Sequence, residues 1–374
     1  MADFYQNGIV TTLHNLAHRP VEDIESELRE FSKKRPMSLI LPSLFSELEG
    51  DALPNIVKHL KDADYLSEIV IGLDRANEEQ YRHALTFFGK LPQHHRVLWN
   101  EGPRLQALDA ELQELNLAPK ELGKGRNVWY CMGYTLASNR SESVALHDCD
   151  IVTYDRELLA RLIYPVANPR FNYEFCKGFY ARVADGKING RVSRLLVTPL
   201  LRALKKVFGE MEYLQFMDSF RYPLAGEFSF RKDIADVYDH KHQDLSPDND
   251  AGGLSKMSID ISKALFRKLA THGKTFNTET FRSIKATYFR IALDFIETYH
   301  NDAVMNGLTL DIHAEEKAVE LFAQNIMKAG EAFLDKPMET PFIPSWNRVI
   351  SAKPDILERL YEAVEEDNKE FMSR

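Results

Sequence analysis

The chain has 374 residues, with 47 Lys and Arg against 56 Asp and Glu, a formal net charge of −9, and 44% hydrophobic residues. That length makes one large domain or two modest ones, with enough apolar material for a core. The acidic balance excludes a general nucleic-acid binder, whose affinity comes from clustered Lys and Arg on phosphates. No apolar run approaches the roughly 20 residues that cross a bilayer, so no membrane association is expected. Met1 to Asn7 lacks the basic-then-apolar pattern of a secretory signal. Cys131, Cys149 and Cys176 are odd in number and lack CxxC spacing, which points to reduced thiols in a cytoplasmic protein.

Val21 to Lys34 is charged, with Ile24, Leu28 and Phe31 at helical spacing, so residues 1–36 are expected to form a helical leader. Ser38 to Pro42 then reads as a buried strand closed by proline. Leu53 to Leu66 predicts a helix, with Ile56, Val57, Leu60 and Leu66 on one face, and Glu68 to Asp74 a second strand. Asn77 to Phe88 predicts another helix, Arg96 to Trp99 a third strand, Asn127 to Ala137 a helix, and Ser143 to Asp148 a fourth strand. This alternation predicts an α/β core over residues 37–250, a mostly parallel sheet flanked by helices. In such sheets ligands bind beyond the carboxyl ends of the strands. The polar residues after each run, Asp74 among them, are therefore the candidates. From about Leu254 the pattern is helical, with stripes at Phe281, Ile284, Tyr288 and Ile291, at Val319, Phe322 and Ile326, and at Ile356, Leu360 and Val364. Residues 251–374 are expected to form a helical C-terminal region whose stripes are core or a dimer seam.

The sharpest chemistry follows the fourth strand. Asp148-Cys149-Asp150 places two carboxylates at a strand end, where both can reach one divalent cation. Alone, such a pair is common in solvated turns; its position after a buried run is what raises its interest. Gly123-Lys124-Gly125 opens the preceding helix, and glycines, a helix N-terminus and a lysine together favour a phosphate. It is not a Walker loop. Glu227 follows an Ala-Gly turn between aromatics and suits a sugar hydroxyl or a proton, or else the amides of its own loop. Gly190-Arg191-Val192-Ser193 offers backbone N–H groups, a guanidinium and a hydroxyl to an anion, with Lys177, Arg182 and Arg194 adding positive charge. His240 and His242 could complete a metal set begun by the aspartates.

Taken together and in order, these segments resemble the retaining glycosyltransferases that make glucosyl-3-phosphoglycerate, with mannosylglycerate synthases as more distant relatives. Leu41-Pro42-Ser43-Leu44-Phe45-Ser46-Glu47 is similar to the family's first-strand motif, where base and ribose bind. Gly123-Lys124-Gly125 is similar to its Pro-Gly-Lys-Gly element, with Leu122 in place of proline. Asp148-Cys149-Asp150 resembles its Asp-Ser-Asp. Lys177 to Arg182 resembles Lys-Ser-Phe-Tyr-Arg-Arg, and Gly190 to Ser193 resembles the acceptor-binding Gly-Arg-Val-Thr. Pro223 to Phe228 resembles Pro-Leu-Ser-Gly-Glu-Tyr. One departure stands out: Glu227 and His240 are separated only by Phe228 to Asp239, so a loop of the family is expected to be missing between 231 and 237.

The resemblance implies a glycosyltransferase-A type, Rossmann-like fold and transfer of glucose from a nucleotide diphosphate sugar to the 2-hydroxyl of 3-phosphoglycerate. It implies a donor site at Pro42, Ser43, Leu44, Glu47, Asp74, Lys124, Gly125 and Asp148, and an acceptor site at Arg182, Gly190, Arg191, Val192 and Ser193. It implies magnesium or manganese on Asp150, His240 and Asp148, catalysis by Glu227 and Asp150, and a homodimer. The rivals are mannosyl transfer, free glycerate as acceptor, and a non-catalytic nucleotide-sugar-binding protein.

Overall fold

The computed structural model describes residues 10–13, 16, 18–179, 183–184, 186–220, 222–235, 251–335 and 343–372. In chain order the elements are α1 (Val21–Ser32), β1 (Met37–Leu44), α2 (Ala52–Leu60), β2 (Leu66–Asp74), α3 (Glu78–Phe88), β3 (His95–Trp99), α4 (Pro103–Glu114), α5 (Lys124–Ser138), β4 (Ser143–Leu146), α6 (Arg156–Ala167) and β5 (Phe175–Lys177). There follow β6 (Val183–Ala184), β7 (Lys187–Ile188), α7 (Thr198–Phe208), α8 (Glu212–Ser219), β8 (Phe228–Arg231) and the single turn α9 (Lys232–Ala235). The rest is helical: α10 (Ala251–Thr271), α11 (Thr278–Met305), α12 (Ile312–Asp335), α13 (Trp346–Ala352) and α14 (Ile356–Met372). These elements fall into two compact units. A sheet unit gathers the described residues of His14–Gly178, Ala225–Asp244 and Pro341–Arg374, and a helical unit those of Met1–Leu13, Phe179–Leu224 and Leu245–Thr340.

In the sheet unit six strands run in the order β3-β2-β1-β4-β8-β5. The pairings among β3, β2, β1 and β4 are parallel, and β8 is antiparallel to both β4 and β5. The expectation of a mostly parallel sheet flanked by helices holds. β1 is buried through Ser43, as a strand covered on both faces must be. Pro42 fits inside it for a local reason. Ile40 O accepts from His147 N at 3.2 Å, and the β1–β4 ladder ends there. Two residues on, Pro42 faces the same side beyond the last β4 pair, where a missing N–H costs no ladder bond. The chain reverses its direction of winding between β1 and β4, the topological switch point.

Several ends differ from the sequence pattern. The first predicted core helix stops at Leu60 rather than Leu66, because Tyr65 and Leu66 turn into β2 and are buried there. The helix predicted from Asn127 begins three residues earlier, at Lys124. Gly123 has φ +130°, open to glycine, and lets the chain enter α5 abruptly. Gly72 of β2 lets α5 approach closely: a Cβ there would overlap Asn127 and Cys131, and Asn127 Nδ2 donates to Gly72 O at 2.8 Å. α4 and α6 are not among the expected elements; they bury Leu105, Leu108 and Leu112, and Leu159, Ile163 and Val166.

The helical region expected over 251–374 is divided. α13 and α14 belong to the sheet unit, joined by reciprocal tryptophan contacts. Trp129 and Trp346 stack at 4.2 Å; Trp129 Nε1 donates to Pro344 O at 2.8 Å and Trp346 Nε1 to Trp129 O at 3.0 Å. Asn368 of α14 covers the edge of β3, accepting from Val97 N at 3.1 Å and donating to Val97 O at 2.8 Å. An open strand edge is thereby closed. The expected leader helix also packs into this unit, burying Ile24 and Leu28 among the residues of β1 and β2.

In the helical unit α7, α8, α10, α11 and α12 share one core around Leu200, Phe266, Phe281, Tyr288 and Phe322. A widened π-type turn over Val192–Val197 leads into α7. Tyr288 Oη donates to Leu195 O at 2.7 Å, taking one carbonyl of that irregular turn. β6 and β7 form a two-stranded sheet, and Thr309 N donates to Gly186 O at 2.8 Å beside it. Among the described residues no helix is long and apolar enough to cross a membrane.

Candidate active site

The carboxyl ends of β1, β2 and β4 and the first turn of α5 bring most of the expected donor residues together. After β4 the chain turns outward, leaving Asp148 half-buried, Cys149 buried and Asp150 exposed. Lys124, at the first position of α5, forms an ion pair with Asp148. Gly226 packs against the other side of the same carboxylate: a Cβ there would overlap it. Asp148 therefore sits between the helix N-terminus and the Ala225-Gly226-Glu227 turn, tying the two loops to one strand end.

Glu227 is 4% exposed and its carbonyl accepts from Gly178 N at 3.0 Å. Next to it Lys177 Nζ donates to Ala225 O at 2.6 Å and stands 5.5 Å from the Phe228 ring centroid. Burial pushes the Lys177 ammonium down to about 8, against the pull of the Glu227 and Asp148 carboxylates. In the sequence Lys177 stands out only as one of several nearby basic residues. Its burial beside Glu227 comes from β5 pairing with β8, which a three-residue strand does not announce in sequence.

On the β1 side Ser43 Oγ donates to Leu44 O at 3.0 Å, and Leu44 N donates to Glu47 Oε2 at 3.0 Å. Burial pushes Glu47 up to about 7, with Asp150 adding to the rise and Lys124 opposing it. Glu47 thus feels both Asp150 and Lys124 across the strand ends. Asp74, closing β2, accepts from Asn100, and burial pushes it up to about 6. Gly125 is buried one residue inside α5. Pro42 lies on the β4 side of β1, two residues beyond the last β1–β4 pair.

The donor set suits a hard cation, since Asp148 and Asp150 supply oxygen ligands two residues apart after a strand end. Among the described residues no group of three His, Cys, Asp or Glu is gathered as a metal would hold them. His240 lies outside the described residues, as does Arg182. Cys131, Cys149 and Cys176 are free.

The expected acceptor residues lie in the helical unit. Gly190 has φ +82°, and after it Arg191, Val192 and Ser193 open the π-type turn with their N–H groups at a helix start. Arg194 N bonds back to Gly190 O at 3.1 Å, and Thr198 Oγ1 donates to Ser193 O at 3.1 Å. Arg191 Nε donates to Glu315 Oε1 at 2.7 Å. Glu315 was missed in the sequence, although it stands four residues before Val319 and so on the same stripe as Phe322 and Ile326.

No family model matches the chain. A curated glucosyl-3-phosphoglycerate synthase from Persephonella marina is 43% identical over 404 aligned positions, covering 99% of this chain and 100% of that protein. Another from Methanococcoides burtonii is 35% identical over 409 positions, covering all of both chains. A 404-position alignment against 374 residues means that the first relative carries residues at 30 or more positions where this chain has none. A solved structure of glucosyl-3-phosphoglycerate synthase from Mycobacterium tuberculosis, in complex with Mn2+, uridine diphosphate and glucosyl-3-phosphoglycerate, is 18% identical. It overlaps 63% of this chain and 67% of that one with a TM-score of 0.42, which carries no argument about this chain. Identity of 43% along the whole length of a curated relative is decisive: the chain belongs to the glucosyl-3-phosphoglycerate synthase family of glycosyltransferases.

Proposed function

We propose that the chain transfers glucose from a nucleotide diphosphate glucose to the 2-hydroxyl of 3-phosphoglycerate, giving glucosyl-3-phosphoglycerate with retained configuration. Full-length identity to the Persephonella marina enzyme carries this reading, and the cluster of Lys124, Asp148, Lys177 and Glu227 supports it. In the reaction the bond from the anomeric carbon to the diphosphate breaks and a bond to the acceptor oxygen forms. The acceptor proton passes to the departing phosphate oxygen, on the same face.

Each residue has a physical task. Lys124 and the N–H groups of the first turn of α5 hold the diphosphate, where charge builds as the bond breaks. Lys177 adds a second ammonium near the same carboxylate cluster. Glu227, buried and fixed by its turn, accepts from glucose hydroxyls and orients the ring. Pro42, Ser43, Leu44, Glu47 and Asp74 flank the base and ribose. Asp150 and Asp148, with His240 as the third ligand we assign, would hold magnesium or manganese, which would supply Lewis-acid stabilisation of the leaving group. Gly190, Arg191, Val192 and Ser193, with Arg182, seat the acceptor's phosphate and carboxylate.

We assign the protein to the cytoplasm, on its three free thiols, and as a homodimer. Val304, Met305 and Ile312, around the α11–α12 turn, are exposed apolar side chains that a second copy would cover. Sedimentation equilibrium tests this, and a monomer at assay concentration removes the dimer. The test of the activity is mass spectrometry of products from mixed nucleotide sugars offered glycerate and 3-phosphoglycerate. Hexosyl-phosphoglycerate formed from a glucose donor is expected; mannosylglycerate, or no product with any donor, would replace this reading with a rival.

A further inference from the structure

Glu315 lies on α12, more than a hundred residues beyond the Gly190-Arg191-Val192-Ser193 turn, yet its carboxylate, 1% exposed, underlies that turn. Arg191 Nε donates to Oε1 at 2.7 Å, and Arg194 Nη2 approaches Oε2 at 2.9 Å. The two arginines are differently placed. Arg194 is buried, with Nε on Asn189 O at 3.0 Å and its guanidinium carbon 4.8 Å from the Tyr299 ring centroid. Arg191 keeps 40% of its side chain exposed.

The geometry has two consequences. A guanidinium held through Nε presents its opposite end, the two terminal nitrogens, away from the carboxylate that holds it. That end is the bidentate fork that matches a phosphate or carboxylate. Two guanidinium groups one turn apart also repel, and one buried carboxylate between them leaves a single net positive charge at the turn. Burying a carboxylate is costly unless it is paired, and Glu315 is paired twice.

We infer that Glu315 is a positioning residue for the anionic acceptor: it aims the Arg191 fork at the substrate and acts on binding only through Arg191. This rests on the reading that Gly190 to Ser193 seat 3-phosphoglycerate. Arg194 serves as the buried second partner that holds Glu315 in place.

A double-mutant cycle tests it, with wild type, Arg191→Ala, Glu315→Ala and the double variant. Each is read by KM for 3-phosphoglycerate, KM for the donor, kcat, and calorimetric titration of 3-phosphoglycerate. Glu315→Ala is expected to raise the acceptor KM about tenfold, the loss of one oriented charge-assisted bond. It should leave the donor KM within about twofold and add nothing in the Arg191→Ala background. A folded Glu315→Ala protein with wild-type acceptor KM overturns the inference, and so do equal losses in both backgrounds. If Glu315→Ala does not fold, Glu315→Asp takes its place under the same criteria, since it keeps the charge but draws the oxygens back by one carbon. The calorimetric arm needs no turnover. A wild type that binds 3-phosphoglycerate without transferring sugar would sink the proposed reaction and leave this cycle interpretable.

Discussion

Asp148 and Asp150, two residues apart beyond the end of β4 at Leu146, are differently surrounded. Asp148 is paired with Lys124 and packed against Gly226, whereas Asp150 is exposed. Asp150→Ala should therefore fold normally and lose about a hundredfold or more in turnover, through lost stabilisation of the leaving group. A steady-state assay with added manganese checks this, and full wild-type activity in chelator would remove the metal from the reaction. A different carboxylate governs stability. Glu68 is buried on β2, accepting from Ser138 Oγ at 2.7 Å with His94 Nε2 at 3.5 Å. Burial pushes Glu68 up to about 7 and His94 down to about 4, so this contact is no ion pair at neutral pH. The folded pKa lies above the unfolded one, so the native state binds the proton more tightly. Its contribution is complete below about 4.5 and is lost as pH rises through about 7. Glu68→Gln should remove that loss, by at most about 3 kcal/mol. The Tm difference between variant and wild type should grow in the variant's favour from pH 4.5 to 7.5; a difference independent of pH refutes the assignment.

At the scale of elements, the proposed donor cluster depends on two short connections rather than on long helices. One is the entry to α5 at Gly123; the other is the turn Ala225-Gly226-Glu227 that leads into β8. A methyl at Gly226 would press on the Asp148 carboxylate and displace either Asp148 or Glu227. Gly226→Ala is expected to lower kcat at least about tenfold while shifting Tm by only a few degrees, because displacement by a fraction of an ångström matters more to orientation than to packing. Kinetics and thermal melts on one preparation separate the two. The alkaline side of the pH profile belongs here too. Lys177 is held between β5 and β8 with its ammonium lowered to about 8. Turnover should fall as pH rises through about 8, and Lys177→Arg, which stays charged, should move that limb upward.

For the whole molecule, the chain's return matters most. After the helical unit it comes back to the sheet unit, where Trp346 stacks on Trp129 and α14 covers the β3 edge. Gly133 makes room for the indole, since a Cβ there would overlap it. Trp346→Ala should cost about 3–5 kcal/mol, the usual loss for a large buried aromatic, and lower the urea midpoint accordingly. An unchanged midpoint would mean that this helical pair is an ornament of the sheet rather than part of its core.

The alternating strands and helices, and the order of the glycine, lysine and carboxylate motifs along them, are legible in the sequence alone. Those features are local: a buried strand needs a short apolar run, and a phosphate turn needs glycine beside a helix start. Asp148, Lys124 and Glu227 could be named because each follows such a run or turn. Tertiary structure alone decided the rest. β5 and β8 are three and four residues long, and only their pairing places Lys177 beside Glu227. Glu315 reads as one more charge on a helix until the fold buries it beneath Arg191. The last helices carry the same amphipathic stripe as α11 and α12, and periodicity states which face is buried but not against what. A stripe can be satisfied by any apolar neighbour, so the choice of partner belongs to the whole chain.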